Sequence, residues 1–257
     1  MDRAGDPEFF IGYLDKAAAG LRTARAAMTQ ALDVRPGHSV LDIGCGTGEF
    51  LIELAAAVPG VRAVGIDTSL ALLRSAALRA QAAAAAPDFR LGDAERLDFA
   101  DASFDRVNCS RVLVHLERPD AAVAEMARIL APGGRVAIWE PDFDALMIDS
   151  DDLATATAVR RRLIARLRNP DIGRRLRRLV LDAGLRLEEA SGEARPVPTL
   201  QHAADQFHLL DHLGAAVAAG EVNAAAAEAW REGLEAASTS GRLFIAPIAF
   251  RVLAEKP

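Results

Sequence analysis

The chain has 257 residues, and its 30 Lys plus Arg against 36 Asp plus Glu leave a formal charge of −6. Hydrophobic residues make up 51% and charged residues 26%, which excludes a disordered chain and is enough for a sizeable core. The negative balance argues against general binding to nucleic acid or an anionic membrane, so neither is expected as a partner. Two distant cysteines, Cys45 and Cys109, exclude a disulfide framework and a cysteine zinc cluster, and they fit a reducing compartment. No apolar run approaches the roughly 18–20 residues that span a bilayer. The acidic start Met1-Asp2-Arg3 has no signal-like apolar segment, so a cytoplasmic location is expected.

Residues 8–32 carry Phe9, Phe10, Tyr13, Leu14, Leu21, Met28 and Leu32 in a helical rhythm that ends at Arg35-Pro36-Gly37. Ser39 to Ile43 reads as a buried strand running into glycines, and Glu49 to Val58 as a helix stopped by Pro59-Gly60. Val61 to Asp67 is a second strand, after which Ser69 caps the next helix. Phe89 to Leu91 and Phe104 to Ser110 are further strands. Asp120 is expected to cap a helix whose Val123, Met126, Ala127 and Leu130 repeat at i, i+3, i+4, i+7. After Pro132-Gly133-Gly134 comes a fifth strand, Arg135 to Glu140. Alternating strands and helices predict an α/β fold, a doubly wound parallel sheet with helices on both faces.

The second half loses that rhythm. Leu176, Leu179, Val180 and Ala183 line a helix ended by Gly184. A sixth strand runs from Leu185 to Ala190, residues 199–240 are mostly helical, and Leu243 to Ala254 is a last strand, expected antiparallel. Alanine is about a fifth of the chain, so segments such as Gln81 to Ala86 carry little periodicity.

The chemistry concentrates in Val40-Leu-Asp-Ile-Gly44-Cys-Gly46-Thr-Gly48, placed between a strand and a helix. Glycines let the backbone turn sharply and approach a ligand with no Cβ in the way. The spacing is G-x-G-x-G, not the G-x-G-x-x-G of dinucleotide folds, and it carries Asp42, a carboxylate suited to a cationic amino group. Asp67, at the end of strand two, can accept both hydroxyls of a ribose. Gly92-Asp93-Ala94 closes strand three, where an Asp can receive an adenine amino group.

With Phe104-Asp105-Arg106-Val107 and Leu130-Ala-Pro-Gly-Gly-Arg-Val136, these motifs resemble the class I S-adenosylmethionine-dependent methyltransferases. The likeness is nearest to the small-molecule, ubiquinone/menaquinone-biosynthesis-like branch and is strong over residues 37–140. It implies a Rossmann-like sheet of seven strands, the last antiparallel. It implies S-adenosyl-L-methionine as cofactor and S-adenosyl-L-homocysteine as product. Gly44, Cys45, Gly46 and Asp42 would surround the methionine part, Asp67 and Thr68 the ribose, and Asp93 and Ala94 the adenine. Cys109 and Ser110 would lie near the amino group and sulfonium. Relatives use a Tyr and an Arg from an N-terminal helix, which Tyr13 and Arg22 resemble, with Arg25 as a substitute.

The expected organisation is an N-terminal helical lid (1–36), a core (37–190 plus 243–257) and a helical substrate cover (141–175 and 192–242). His115 follows strand four and is the first candidate for a general base, Glu140 the second. Asp142 and Asp144 follow strand five and are candidates for substrate contact. His202, Asp205, His208 and His212, at i, i+3, i+6 and i+10, are expected on one helix face, with His208, His212 and Trp139 as substrate-binding candidates. No metal is expected, because nothing completes a tetrahedral site around the two histidines. Nine arginines between Arg160 and Arg178 read as a solvated face, without aromatics for base stacking.

The apolar residues of the cover (Phe207, Leu209, Leu210, Leu213, Trp230, Phe244) suggest a hydrophobic acceptor, such as a product of secondary metabolism. Methyl transfer to a small, apolar metabolite by in-line displacement is the leading reading. A non-methylating reaction such as a cyclisation is the alternative, and an RNA substrate a weaker one. Oligomeric state is not readable.

Overall fold

The structure, a computed structural model, describes the backbone of residues 7–257 and, of their side chains, those of residues 11, 12, 14 and 22–257. Helix α1 (Pro7–Leu32) leads into β1 (Ser39–Ile43), α2 (Glu49–Ala57), β2 (Arg62–Asp67), α3 (Leu70–Ala82), β3 (Asp88–Leu91) and β4 (Phe104–Ser110). A 3-10 turn (Leu113–His115) precedes α4 (Pro119–Ile129) and β5 (Leu130–Ile148). The remainder is α5 (Leu153–Ile164), α6 (Ile172–Asp182), β6 (Arg186–Ala194), α7 (Leu200–Phe207), α8 (Leu209–Ala218), α9 (Ala224–Thr239) and β7 (Ile245–Glu255).

The seven strands form one sheet in the order β3-β2-β1-β4-β5-β7-β6, with parallel pairing from β3 through β5. β7 runs against its neighbours. On β5, Lys256 N donates to the Gly134 carbonyl at one end, and Asp149 N to the Phe244 carbonyl at the other. On β6, Arg195 N meets Pro247 O and Val197 N meets Ile245 O. This is the expected Rossmann-like sheet. The strand order reverses at β1 and β4, so the crevice beyond their carboxyl ends is the natural place for a ligand.

Two compact units divide the chain. The first holds residues 1–140, 175–191 and 251–257, and the second holds 141–174 and 192–250. In the first, β1 is wholly buried and β4 nearly so, as strands covered on both faces must be. Arg106 anchors the end of α1: its Nε donates to the Leu32 carbonyl at 2.5 Å. The second unit has its own apolar core, in which Val159, Leu200, Leu209, Leu213, Trp230 and Ile245 are buried.

Several local readings change. β5 does not stop at Glu140 but continues to Ile148, so residues 141–148 are strand rather than helix. Pro141 lacks a donor, yet a strand loses only one bond there. Asp120 does not cap α4. Pro119 takes the first helical position, and the Glu95 carboxylate accepts from Glu117 N and Arg118 N just before it. Ser69 does cap α3, accepting from Leu72 N.

Candidate active site

The loop after β1 holds Gly44, Gly46 and Gly48 at φ +66, +55 and +84°, a left-handed region that costs any other residue strain. Gly44 and Gly48 also lack room for a side chain, and at Gly46 the fit is tight. A Cβ on Gly44 would run into the Val112 side chain, one on Gly46 would lie 3.3 Å from Leu14 Cδ1, and one on Gly48 would meet the Phe89 ring at 2.8 Å. The loop hangs from the end of β2. Cys45 N donates to the Ile66 carbonyl at 2.9 Å, and Gly46 N to Asp67 Oδ2 at 3.0 Å. Asp67 Oδ1 accepts from Ser69 N, and the half-buried carboxylate keeps a lone pair on each oxygen. Gly92 N donates to the Asp67 carbonyl, setting the end of β3 beside it. There Ala94 is buried, and the exposed Asp93 turns its Oδ1 to Glu95 N. Thr68 is exposed.

Beneath the loop, Asp42 is 4% exposed and faces Asn108 across the β1–β4 register. Asn108 Nδ2 donates to Asp42 Oδ1 at 2.6 Å. Burial pushes Asp42 up to about 7; the Asn108 bond opposes this, while the charges of Asp67 and Glu49 add to it. Asn108 Oδ1 is buried without a partner. The sequence reading passed over Asn108, whose signal was a polar residue inside an apolar strand. Cys109 and Cys45 are buried, and burial raises both thiols well above their ordinary range, so they pack rather than act as nucleophiles. Ser110 is half-buried and paired in register with the buried Trp139.

Past β4 the chain turns sharply at Arg111, φ +62°. Glu140 Oε1 accepts from Val112 N and Leu113 N, each at 2.7 Å, while Oε2 is buried with no partner. Glu140 is completely buried, which pushes it up to about 7 against the opposing pull of the Leu113, Val112 and Val114 backbone N–H groups. His115 ends the turn at the surface. Enough protein surrounds its imidazole to lower its pKa, and the Arg111 charge adds to this.

Other expected residues lie on α1 and in the second unit. The Tyr13 side chain lies outside the described residues. Arg22 is exposed on α1, and Arg25 is committed to Glu53, with Nη2–Oε1 at 2.7 Å and Nε–Oε2 at 2.9 Å. The expected single histidine face is broken. His202 and Asp205 lie on α7, but His208 is left-handed (φ +51°) at the junction with α8, which carries His212. His208 pairs with Asp211 at 3.3 Å, and burial lowers the His212 imidazole to about 4. Asp142 is buried and held by both arms of Arg174 at 2.7 Å, with Asp144 at 3.2 Å from the same guanidinium. Arg161 and Arg162 likewise pair with Glu221. Among the described residues no three His, Cys, Asp or Glu side chains converge as a metal would require. No helix among them is long and apolar enough to cross a membrane.

A methyltransferase domain family matches residues 41–138. The chain is 38% identical over 249 residues to an uncharacterized 37.1 kDa protein in transposon TN4556 of Streptomyces fradiae, covering 95% of this chain and 71% of that one. It is 34% identical to an uncharacterized methyltransferase, C1B3.06c, of Schizosaccharomyces pombe, over 71% of this chain and 70% of the relative. A demethylmenaquinone methyltransferase of Deinococcus radiodurans is 41% identical over 116 residues, 45% of this chain and 48% of the relative. Two solved structures share the fold at low identity. They are the YcgJ protein of Bacillus subtilis (TM-score 0.62, 19% identical, covering 91% of this chain and 98% of that one) and the [4+2]-cyclase SpnF (TM-score 0.57, 21%, 91% and 80%). The chain belongs to the class I S-adenosylmethionine-dependent methyltransferases.

Proposed function

We propose that the protein methylates a small, apolar metabolite at an oxygen, nitrogen or carbon, and that the crevice at the ends of β1, β2 and β4 holds the cofactor. The observation that carries this reading is the glycine cradle. Its three glycines all sit at positive φ, two of them admit no Cβ, and it hangs from a carboxylate, Asp67, that keeps free lone pairs for ribose hydroxyls. The residues present fit the cofactor in their chemistry as well. Asp42 and the unpartnered Asn108 Oδ1 supply buried acceptors beneath the loop, as a cationic amino group nearby would need. Gly44, Cys45 and Gly46 would hold the methionine part, Asp67 and Thr68 the ribose, Asp93 and Ala94 the adenine, and Cys109 and Ser110 the end near the sulfonium. Tyr13 and Arg22 of α1 are proposed for the carboxylate.

S-adenosylmethionine, when bound, supplies a methyl group already activated on a sulfonium, so in-line displacement asks the protein chiefly for orientation. His115, whose lowered pKa keeps it neutral near pH 7, is proposed to take a proton from an acceptor that must lose one. Trp139, His208 and His212 are proposed as acceptor contacts. The named activity of the Deinococcus relative supports a small-molecule acceptor.

Titration calorimetry with S-adenosylmethionine, S-adenosylhomocysteine and NAD, on wild type and Asp67→Ala, tests the site. Binding of the two sulfur nucleotides alone, lost in the variant, is expected. Failure of folded wild-type protein to bind either would overturn the assignment. S-adenosylhomocysteine release with an apolar acceptor panel tests the reaction. Binding without release across that panel would favour a non-methylating use of the cofactor.

A further inference from the structure

Glu140 is a fully buried carboxyl beside the turn after β4, and the reaction outlined above gives it no part. It is the last β5 residue that belongs to the first unit, has no solvent exposure, and spends one oxygen on two backbone donors, Val112 N and Leu113 N, at 2.7 Å each. Those donors belong to the turn that begins at the left-handed Arg111. A turn in that conformation persists only when its surroundings hold it. The same turn carries Val112, whose side chain fills the space a Cβ on Gly44 would occupy, and it ends in His115. A chain of contacts therefore runs from Glu140 through the Val112 amide to the Val112 side chain and on to the first glycine of the cofactor loop.

We propose that Glu140 is a positioning residue: it holds the turn after β4 so that Val112 closes on Gly44 and His115 stands at the end of β4. This replaces the role of general base considered for it from the sequence, because a carboxyl with no exposure cannot reach an acceptor. The proposal rests on the cofactor site assigned above. It requires reach, not charge. A glutamine keeps an acceptor oxygen at the same distance, whereas an aspartate keeps the charge but draws the oxygen back by one methylene.

The test compares Glu140→Gln and Glu140→Asp with wild type by amide hydrogen exchange at Val112 and Leu113 and by calorimetric titration with S-adenosylhomocysteine. Glu140→Gln is expected to keep both the protection and the affinity within about threefold of wild type, since it keeps an acceptor oxygen within reach of both amides. Glu140→Asp is expected to lose about tenfold or more in protection at those two amides and a similar factor in affinity. The reverse pattern, with aspartate tolerated and glutamine not, would overturn the proposal in favour of charge. Two variants indistinguishable from wild type would overturn it as well. Protection lost with affinity intact would reduce Glu140 to a local prop without a part in binding. If wild type itself bound no S-adenosylhomocysteine, the cofactor site would fall, while the exchange arm would still report whether Glu140 holds the turn.

Discussion

Most helix starts of the two units differ, the exceptions being α3 of the first unit, capped by Ser69, and α8 of the second, which has no side-chain cap. In the second unit, α5, α7 and α9 each start under a side chain of their own: Asp152 accepts from Thr155 N, Thr199 from His202 N and Asn223 from Ala226 N. In the first unit, α2 starts at the left-handed Gly48 and α4 at Pro119, with no side-chain cap on either. The uncapped start of α2, beside the glycines, keeps N–H groups for something other than the protein itself, whereas the turn before α4 gives its own to Glu95. The carboxylates divide the same way. Asp142 in the second unit is saturated by Arg174, whereas Asp67 in the first holds its loop and retains lone pairs. The second unit uses its polar groups to close itself; the first leaves some open toward the crevice.

The largest expected effects break the molecule on either side of that division. Gly44→Ala forces a Cβ into Val112 at φ +66°. Backbone strain and overpacking together should cost about 2–4 kcal/mol and abolish S-adenosylhomocysteine binding. Arg174→Ala removes the guanidinium and leaves the buried Asp142 with two backbone donors, Ala145 N and the main-chain N–H at position 174. It should cost about 1–3 kcal/mol with affinity unchanged. Thermal unfolding and calorimetry on both variants check the pair. A loss of affinity in Arg174→Ala would show that the second unit's internal pairing also serves the cofactor.

How much of this was legible follows from the range of each signal. The glycine loop, Asp67 and the Ser69 cap are local patterns, written within a few residues of where they act. The alternation of strands and helices gave the sheet. Asn108 was missed because its meaning lies in register, opposite Asp42 on a strand 66 residues away in sequence. Asp142 and Arg174, 32 residues apart, could be read only as two separate charges. The histidine face assumed a continuous helical period, and one left-handed residue, His208, ended it. The run of β5 past Pro141 depends on its partner β7, which comes about a hundred residues later.

The buried carboxyls of the first unit and His212 of the second answer pH in opposite senses, and the lowered His115 of the first unit sides with His212. Asp42 and Glu140 in the first are raised from ordinary values of 3.8 and 4.5 to about 7. The folded state therefore binds more protons than the unfolded one in that window, and stability falls as pH rises toward 7 and slightly beyond. His212 in the second is lowered from 6.5 to about 4, so it binds fewer protons when folded, and its contribution grows as pH rises from about 4 to 6.5. Below pH 6.5 the two trends oppose each other; between 6.5 and 8 the fall due to the carboxyls remains, on the order of 1 kcal/mol for each. Melting temperature against pH should show that fall in wild type. The double variant Asp42→Asn/Glu140→Gln should lose that fall and gain stability from pH 4.5 to about 7.5, where the unfolded-state histidine has lost its proton. A wild-type profile that rises from 6.5 to 8 would contradict the carboxyl assignment.

The smallest expected effect compares one cap from each unit. Ser69 accepts from Leu72 N at 3.4 Å, a long bond, and its own N–H already goes to Asp67. Thr199 accepts from His202 N at 3.2 Å and its hydroxyl also meets His202 Nδ1 at 2.7 Å, so it makes two contacts where Ser69 makes one. Ser69→Ala should therefore cost about 0.5 kcal/mol and Thr199→Ala about 1 kcal/mol. Denaturant unfolding measures both. The affinity for S-adenosylhomocysteine adds a second reading, because Ser69 neighbours the proposed ribose acid and Thr199 does not lie on the crevice's strands. Thr199→Ala should leave affinity untouched, and Ser69→Ala should change it by no more than about threefold, since Asp67 keeps its bond to Gly46 N without the serine hydroxyl. A larger loss in Ser69→Ala would mean that the hydroxyl itself meets the ligand, which would move Ser69 from the helix into the site.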